Sequence, residues 1–169
     1  NWYSISLGYE RSFGGYSRTL TRGGPIASRP KHDRYSLSIR TDRRKKANGF
    51  LRIGNRIAAD GEYDRSMKVG MNYRPSPKWK LELDLFINRE FDKDQYITSI
   101  ADPMAILTDG VRYVFSDIYT FSRGISFESS MIQSPQLSFQ FFLQPELGHY
   151  DYTGLKEFLT PGKFDFLYY

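Results

Sequence analysis

The stretch WKLELDLFIN at residues 79–88 decides the fold class of this chain. Its apolar and polar side chains alternate, and a period of two residues is the spacing of a β-strand with one apolar and one polar face. The apolar set is Trp79, Leu81, Leu83, Leu85 and Ile87, and the polar set is Lys80, Glu82, Asp84 and Asn88.

The same alternation continues along most of the chain. It recurs at Tyr3 to Tyr9, Tyr35 to Ile39, Leu51 to Ile57, Met67 to Tyr73, Ile125 to Met131 and Leu137 to Leu143. Weaker strand-like patterns lie at Tyr96 to Ala101, Arg112 to Tyr119 and Phe164 to Tyr169. No apolar stripe with a period of 3.6 residues exceeds two turns, so the sequence predicts one all-β domain over residues 1–169, with about ten antiparallel strands.

Composition excludes several classes of protein. Aromatic residues make up 17% of 169 residues, which argues against disorder although the mean hydropathy is only −0.55. The absence of Cys excludes disulfide scaffolds and thiolate metal sites, and two His residues leave little for a multi-His metal centre. No apolar run approaches the roughly 20 residues of a membrane-spanning helix.

The connections between these segments alternate in length. Long or polar loops are predicted at Gly14 to Asp33, Ala59 to Asp64 and His149 to Gly162, and tight turns at Arg43 to Ala47, Arg74 to Lys78 and Ser134 to Gln136. Residues 102–109 form a medium connection that fits neither class. Alternation of long loops and short turns is typical of an outer-membrane barrel.

Alternation alone does not identify the medium on the apolar face, because a soluble β-sandwich has the same period. Strands near ten residues, alternating loop lengths and rings near strand ends favour lipid. The predicted interface aromatics are Phe13, Tyr73, Trp79, Phe91 and Tyr96. The sequence therefore predicts a transmembrane β-barrel, and a soluble β-sandwich that binds glycans or other polar ligands is the alternative.

Strand-like patterns reach both ends of the chain, so we expect a section, truncated at both ends, of a larger barrel. Strands in hydrocarbon must pair all their backbone groups, and the sheet must therefore close on itself or against further strands.

Four motifs in order resemble the family called domain of unknown function 5916. They are Leu20 to Pro25, Arg34 to Thr41 with Asp42 to Lys45, Ser134 to Gln140 with Gln144 and Pro145, and Tyr152 to Phe158. The family is similar to the C-terminal β-barrel of outer-membrane proteins that carry a carbohydrate-binding-like β-sandwich before it. The resemblance covers most of the chain, departs at residues 102–109, and implies a barrel fold without assigned catalytic residues.

The polar faces of the predicted strands carry the candidate site. These lumen-facing residues are Arg34, Arg40, Arg52, Arg56, Lys68, Lys80, Glu82, Asp84, Arg112, Glu128, Gln140 and Gln144. They predict either a water-filled charged passage or an interior filled by salt bridges and hydrogen bonds.

The sequence gives little support for a metal site or for an enzyme active site. Asp60, Glu62 and Asp64, or Asp92 and Asp94, have carboxylates for calcium, but their loose spacing favours solvated loop charge. We find no nucleophile elbow, phosphate-binding loop or metal-ligand motif, and predict no enzyme activity, no cofactor and no metal.

Aromatic and basic residues lie mostly on opposite faces, which argues against nucleic-acid binding despite a net charge of +5. The sequence thus predicts a bacterial outer-membrane protein that passes polar solutes or anchors a surface or periplasmic module. Its expected partners are the lipid bilayer and other outer-membrane or surface proteins.

Overall fold

The computed structural model describes residues 2–169 and contains strands joined by turns, with one short 3₁₀ turn at Ile106–Thr108. The strands are β1 Ser4–Ser12, β2 Gly15–Ser17, β3 Ala27–Arg29, β4 His32–Arg40, β5 Ala47–Ala58, β6 Tyr63–Ser76, β7 Trp79–Ala101, β8 Val111–Ser134, β9 Leu137–Leu143, β10 Glu146–Phe158 and β11 Phe166–Tyr168. No helix within residues 2–169 has the length and apolar character needed to cross a membrane. The prediction of an all-β antiparallel chain is confirmed.

Nine of these strands form one sheet in which neighbours along the chain are neighbours in space. The order is β1, β4, β5, β6, β7, β8, β10 and β11, and β9 also pairs with β8. β9 and β10 lie end to end along β8, separated by Gln144 and Pro145. Proline has no backbone N–H to donate, which accounts for the break. Across residues 2–169 no pairing joins β1 to β9 or β10, so the sheet is open.

The meander places connections at two ends of the sheet. At one end, the turn end, the three predicted tight turns are confirmed between β4 and β5, β6 and β7, and β8 and β9. The other, the loop end, holds residues 13–31, with the small β2–β3 sheet, and residues 59–62 and 102–110. The prediction of a loop from His149 to Gly162 is wrong: most of it belongs to β10, which pairs with β8.

β7 and β8 contain 23 and 24 residues and extend beyond their neighbours at the loop end. The weak patterns at Tyr96 to Ala101 and Arg112 to Tyr119 are these extensions rather than separate strands. Irregular pairing between Asp92 and Gln95, and between Tyr96 and Thr98, shifts the register there. A bulge changes which residues share a face, and this explains why the alternation is unclear in the sequence.

The faces of the sheet follow the predicted alternation, but their burial is the reverse of a soluble protein's. We call the face that carries Met67, Val69 and Met71 of β6 the apolar face and the face that carries Lys68 and Asn72 the polar face. The three apolar residues are 44%, 39% and 51% exposed, while Lys68, with 40% of its side chain exposed, and Asn72 are half-buried. The apolar face is therefore at least as exposed as the polar face.

Two glycines let aromatic rings lie flat on the polar face. Phe50 is directly opposite Gly70, and Phe86 is directly opposite Gly124. A Cβ atom at either glycine would stand 2.5 Å from the facing ring, so only glycine permits this close approach.

A small hydrophobic core lies at the loop end. It consists of Leu20, Ala27, Phe115 and Phe158, with Tyr96, Tyr113, Phe164 and Phe166 packed against it. Tyr96 meets the edge of Phe115 at 5.7 Å between ring centroids, and Arg22 lies 4.6 Å above the Tyr96 ring. Tyr96 therefore belongs to this protein core, which corrects its prediction as an interface aromatic.

The body of the sheet has no second layer among residues 2–169, because the other sheet is β2–β3 with three residues in each strand. The chain exposes 11428 Å² of surface, whereas a compact monomer of 19.7 kDa exposes about 8,600 Å². The excess accompanies a broad apolar face that no other part of residues 2–169 covers.

Candidate functional site

The sheet brings most of the predicted lumen-facing residues together on the polar face. Cross-strand register places Arg34 opposite Arg56, Arg52 opposite Lys68, and Glu82 opposite Glu128. Arg40, Lys80, Asp84 and Gln140 follow the same alternation, and Gln144 lines a cleft together with Arg52 and Lys68.

Arg112 does not lie among them, which corrects its prediction as a lumen-facing residue. It is near the start of β8, in the loop-end extension, where its guanidinium binds the carboxylates of Asp102 and Glu157. Tyr169 also donates a hydrogen bond of 2.6 Å to Glu157. Arg112 therefore stabilises the loop end.

A cleft of about 500 Å³ opens on the polar face toward the turn end. Five basic side chains and two acidic ones line it, namely Arg40, Arg43, Arg52, Lys68, Arg74, Glu82 and Asp84. Clefts with a predominance of one charge concentrate ions of the opposite sign. The lining therefore favours small anions or polar solutes that carry an anionic group.

Carboxylates neutralise only some of the bases in this cleft. Lys68 Nζ lies 2.8 Å from Asp84 Oδ2, and both side chains retain solvent contact. Arg52 lies 4.7 Å above the Phe50 ring, and the buried Nε of Arg40 has no hydrogen-bond partner. The cleft therefore keeps a surplus of basic groups over carboxylates.

A second cluster of charges lies at the loop end, where β6 meets β7. Glu62, Asp92 and Asp94 offer carboxylate oxygens that all lie within 4.8 Å of one another. The pairing of Tyr63 with Phe91 brings these residues together across some 30 positions of sequence. Convergent carboxylates are the ligand type that calcium prefers.

Protein cations already compensate this acidic cluster. Arg56 lies 3.7 Å from Glu62 and 3.2 Å from Asp92, and Arg29 lies 3.2 Å from Asp94. The backbone N–H of residue 93 also donates a hydrogen bond of 3.1 Å to Glu62. The arrangement is an ion-pair network that closes the loop end.

Glu62 is the most buried carboxylate of the network, with 3% of its surface exposed. Burial, followed by the negative charge of Asp94, raises the pKa of Glu62 to about 7. A carboxyl with this pKa changes its charge near neutral pH.

Of the other predicted interface aromatics, Tyr73, Trp79 and Phe13 lie close to strand ends, whereas Phe91 lies in the middle of the long strand β7. Tyr73 and Trp79 lie at the turn end of the apolar face, where Trp79 Nε1 donates a 3.2 Å hydrogen bond to Ser129. Phe91 lies opposite Tyr63 and Tyr119 toward the loop end. The fifth residue, Phe13, is exposed directly after β1.

Sequence reasoning missed a buried lysine at the loop end. Lys156 is fully buried, donates a hydrogen bond to Asp117, and also donates one of 3.2 Å to the hydroxyl of Tyr168. Its ammonium lies 4.7 Å from the Phe166 ring centre. The sequence around Lys156 has no pattern that predicts this burial, because its partners come from distant segments.

No family model matches this chain, and comparisons with curated proteins and with solved structures find no similar protein. The resemblance to the domain of unknown function 5916 therefore stays a prediction that rests on its four motifs.

Proposed function

We propose that this chain forms the wall of an outer-membrane β-barrel, with its apolar face toward lipid and its polar face lining the interior. The observation that carries the proposal is the exposure of the apolar face: along β6 and the first half of β7 its residues are at least as exposed as those of the polar face. Water disfavours this arrangement, whereas hydrocarbon favours it.

The dimensions of the apolar face agree with a bilayer. On β6 the apolar face begins at Tyr63 and ends at Tyr73, which are ten residues apart. At about 3.3 Å per residue and a tilt near 40°, this distance spans about 25 Å along the membrane normal, the height of the apolar band of an outer-membrane barrel. The two tyrosines then lie at the two interfaces, where aromatic girdles occur.

A barrel also requires partners for the two free edges of the sheet. β1 pairs only with β4, and β9 pairs only with β8. Unpaired backbone groups cost several kcal/mol each in hydrocarbon. Under the proposal, further strands of the same polypeptide or of another copy pair with these edges.

Passage of small polar solutes, with a preference for anions, is the activity that the polar face supports best. The five basic side chains that line the cleft favour it. A membrane anchor with a filled interior is the second candidate, because Phe50 and Phe86 occupy part of the polar face. A soluble sandwich is less well supported, since it needs a second sheet over the apolar face.

The absence of Cys from the sequence allows a direct test of the lipid-facing assignment. Single variants Met67→Cys, Val69→Cys and Met71→Cys probe the apolar face, and Ser66→Cys, Lys68→Cys and Asn72→Cys are matched controls on the polar face of the same strand. We expect a membrane-impermeant maleimide to label the controls in lipid vesicles much faster than the apolar set. Equal labelling of both sets would contradict the proposal, and protection of both sets would favour a filled interior.

Conductance in planar bilayers tests the passage. In the full-length protein, the double variant Arg52→Gln and Arg56→Gln should shift the reversal potential toward weaker anion selectivity, because it removes two positive charges from the polar face. Arg65→Gln and Arg89→Gln remove the same charge from the apolar face and should leave it unchanged. An unchanged reversal potential in the first variant would count against a passage along this face.

A further inference from the structure

Three arginines interrupt the apolar face near the loop end. Arg65 on β6 lies directly opposite Arg89 on β7, and Arg123 on β8 lies opposite Ile87, two residues from Arg89 along β7. All three side chains are exposed. We call these three residues the arginine row.

The arginine row has no acidic partner on its own face. Arg65 has Asn55 as its other cross-strand neighbour, Arg89 has Phe121, and Arg123 has Leu147. None of the ion pairs among residues 2–169 includes a member of the row. Arg65 and Arg89 instead lie over aromatic rings, 4.8 Å from Tyr63 and 5.4 Å from Phe121.

On the polar face, by contrast, a pair of opposed cations has an acidic partner. Arg52 also faces a cation, Lys68, but Asp84 lies 2.8 Å from Lys68 and compensates the charge. Like charges directly opposite each other in a sheet are destabilising. An anion from outside the protein would remove this repulsion between Arg65 and Arg89.

An apolar groove adjoins the row on the side of the turn end. It has a volume of about 440 Å³, and Ile53, Met67 and Ile87 line it together with Arg65 and Arg89. A basic site at the mouth of an apolar groove is complementary to an amphiphile with an anionic headgroup and a hydrocarbon chain.

We propose that the arginine row and this groove bind a phosphate-bearing lipid, with the phosphate on the guanidinium groups and an acyl chain in the groove. This inference rests on the proposed barrel, in which the long loops face outward and the row therefore lies in the outer leaflet. Arginine binds phosphate through paired N–H groups, and basic residues near an interface attract anionic lipids.

The test measures lipid retained by the full-length protein in a neutral detergent, counted by native mass spectrometry. The probes are lipid A, which carries phosphates, and phosphatidylcholine, which has no net charge. The test variant combines Arg65→Gln, Arg89→Gln and Arg123→Gln. The control combines Arg34→Gln, Arg40→Gln and Arg52→Gln, which remove the same charge from the polar face.

We expect the test variant to lose lipid A binding by about tenfold or more, while the control retains it. Lysine at the three test positions should restore part of the binding, and an excess of inorganic phosphate should not displace lipid A, because it lacks the acyl chain. Equal losses in both variants, equal retention of phosphatidylcholine, or displacement by inorganic phosphate would overturn the lipid site.

The result is separable from that of the barrel proposal. If the parent protein retains lipid A no better than phosphatidylcholine while the Met67→Cys variant stays protected in vesicles, the lipid site alone is overturned. Free labelling of Met67→Cys in vesicles overturns the barrel and this proposal with it.

Discussion

The same kinds of side chain are buried at the loop end and exposed in the body of the sheet. At the loop end, Phe115 is completely buried among aromatic neighbours, whereas Phe139 in the body is 52% exposed. The hydrophobic effect favours removal of both rings from water, and only the first ring achieves it within the chain. The comparison shows that the loop end has a core of its own, while the body depends on its surroundings.

The largest expected effect is the difference in free energy of unfolding between alanine variants of these two phenylalanines. Phe115→Ala should reduce the free energy of unfolding by about 3–5 kcal/mol, because it leaves a cavity in a packed cluster. Phe139→Ala should cost about 1 kcal/mol or less in detergent micelles, where detergent fills the space. Denaturant unfolding of the full-length protein in micelles measures both, and equal costs would show that protein also packs against Phe139.

A charged substitution on the apolar face tests whether lipid or water surrounds that face. Val69→Arg lies midway between Tyr63 and Tyr73 and should cost about 2–4 kcal/mol in lipid vesicles. Asn72→Arg, on the polar face of the same strand, should cost much less. If Val69→Arg proved neutral in vesicles, the apolar face would have to lie in water.

The ion-pair network of the loop end predicts a dependence of stability on pH. The pKa of Glu62 in the folded protein is raised to about 7, above its ordinary value of 4.5, so the folded state binds this proton more tightly than the unfolded state does. Stability should therefore fall as the pH rises from about 5 to about 8, by on the order of 2 kcal/mol.

Glu62→Gln should flatten this dependence, and denaturant titrations at several pH values measure it. Asp151→Asn is a matched control, because it removes one carboxylate from an exposed position of β10. The interpretation fails if the stability of both variants depends on pH as steeply as that of the parent protein. The charged groups that act on Glu62 are Arg56, Asp60, Asp92 and Asp94, and the backbone N–H of residue 93 also binds it.

Alternation in the sequence was sufficient to predict β4 to β6, β9 and the first half of β7. It also placed Arg52, Lys68 and Asp84 on one face, because a regular strand preserves its period over its whole length. The same period could not distinguish a lipid-facing side from a protein-facing one. Exposure along β6 adds that no protein layer among residues 2–169 covers the apolar face.

The features that sequence reasoning missed depend on contacts between distant segments or on irregular pairing. Bulges near Gln95 conceal the continuity of β7. The sequence of β10 resembles a loop because polar residues interrupt both faces of the strand, and most of its residues are exposed. Glu62 and Asp92 meet only through the register of β6 with β7. The burial of Lys156 likewise requires Asp117 and the β11 aromatic residues.

The smallest expected effect concerns the pair of Lys68 and Asp84, and it distinguishes an open interior from a filled one. The side chains are 40% and 22% exposed, so water and salt screen their attraction. A double-mutant cycle with Lys68→Met and Asp84→Asn should give a coupling of about 0.2–1 kcal/mol if water fills the interior. This coupling energy should decrease further at high salt.

A filled and dry interior predicts a different result for the same cycle. Removal of one partner would then leave an uncompensated buried charge, and each single variant should lose about 3–5 kcal/mol. The turn pair of Arg44 and Asp42, in which the Arg44 side chain is 70% exposed, provides the reference for salt dependence. A weak, salt-sensitive coupling in both pairs would favour solute passage, and a strong, salt-insensitive coupling at Lys68 would favour the membrane anchor.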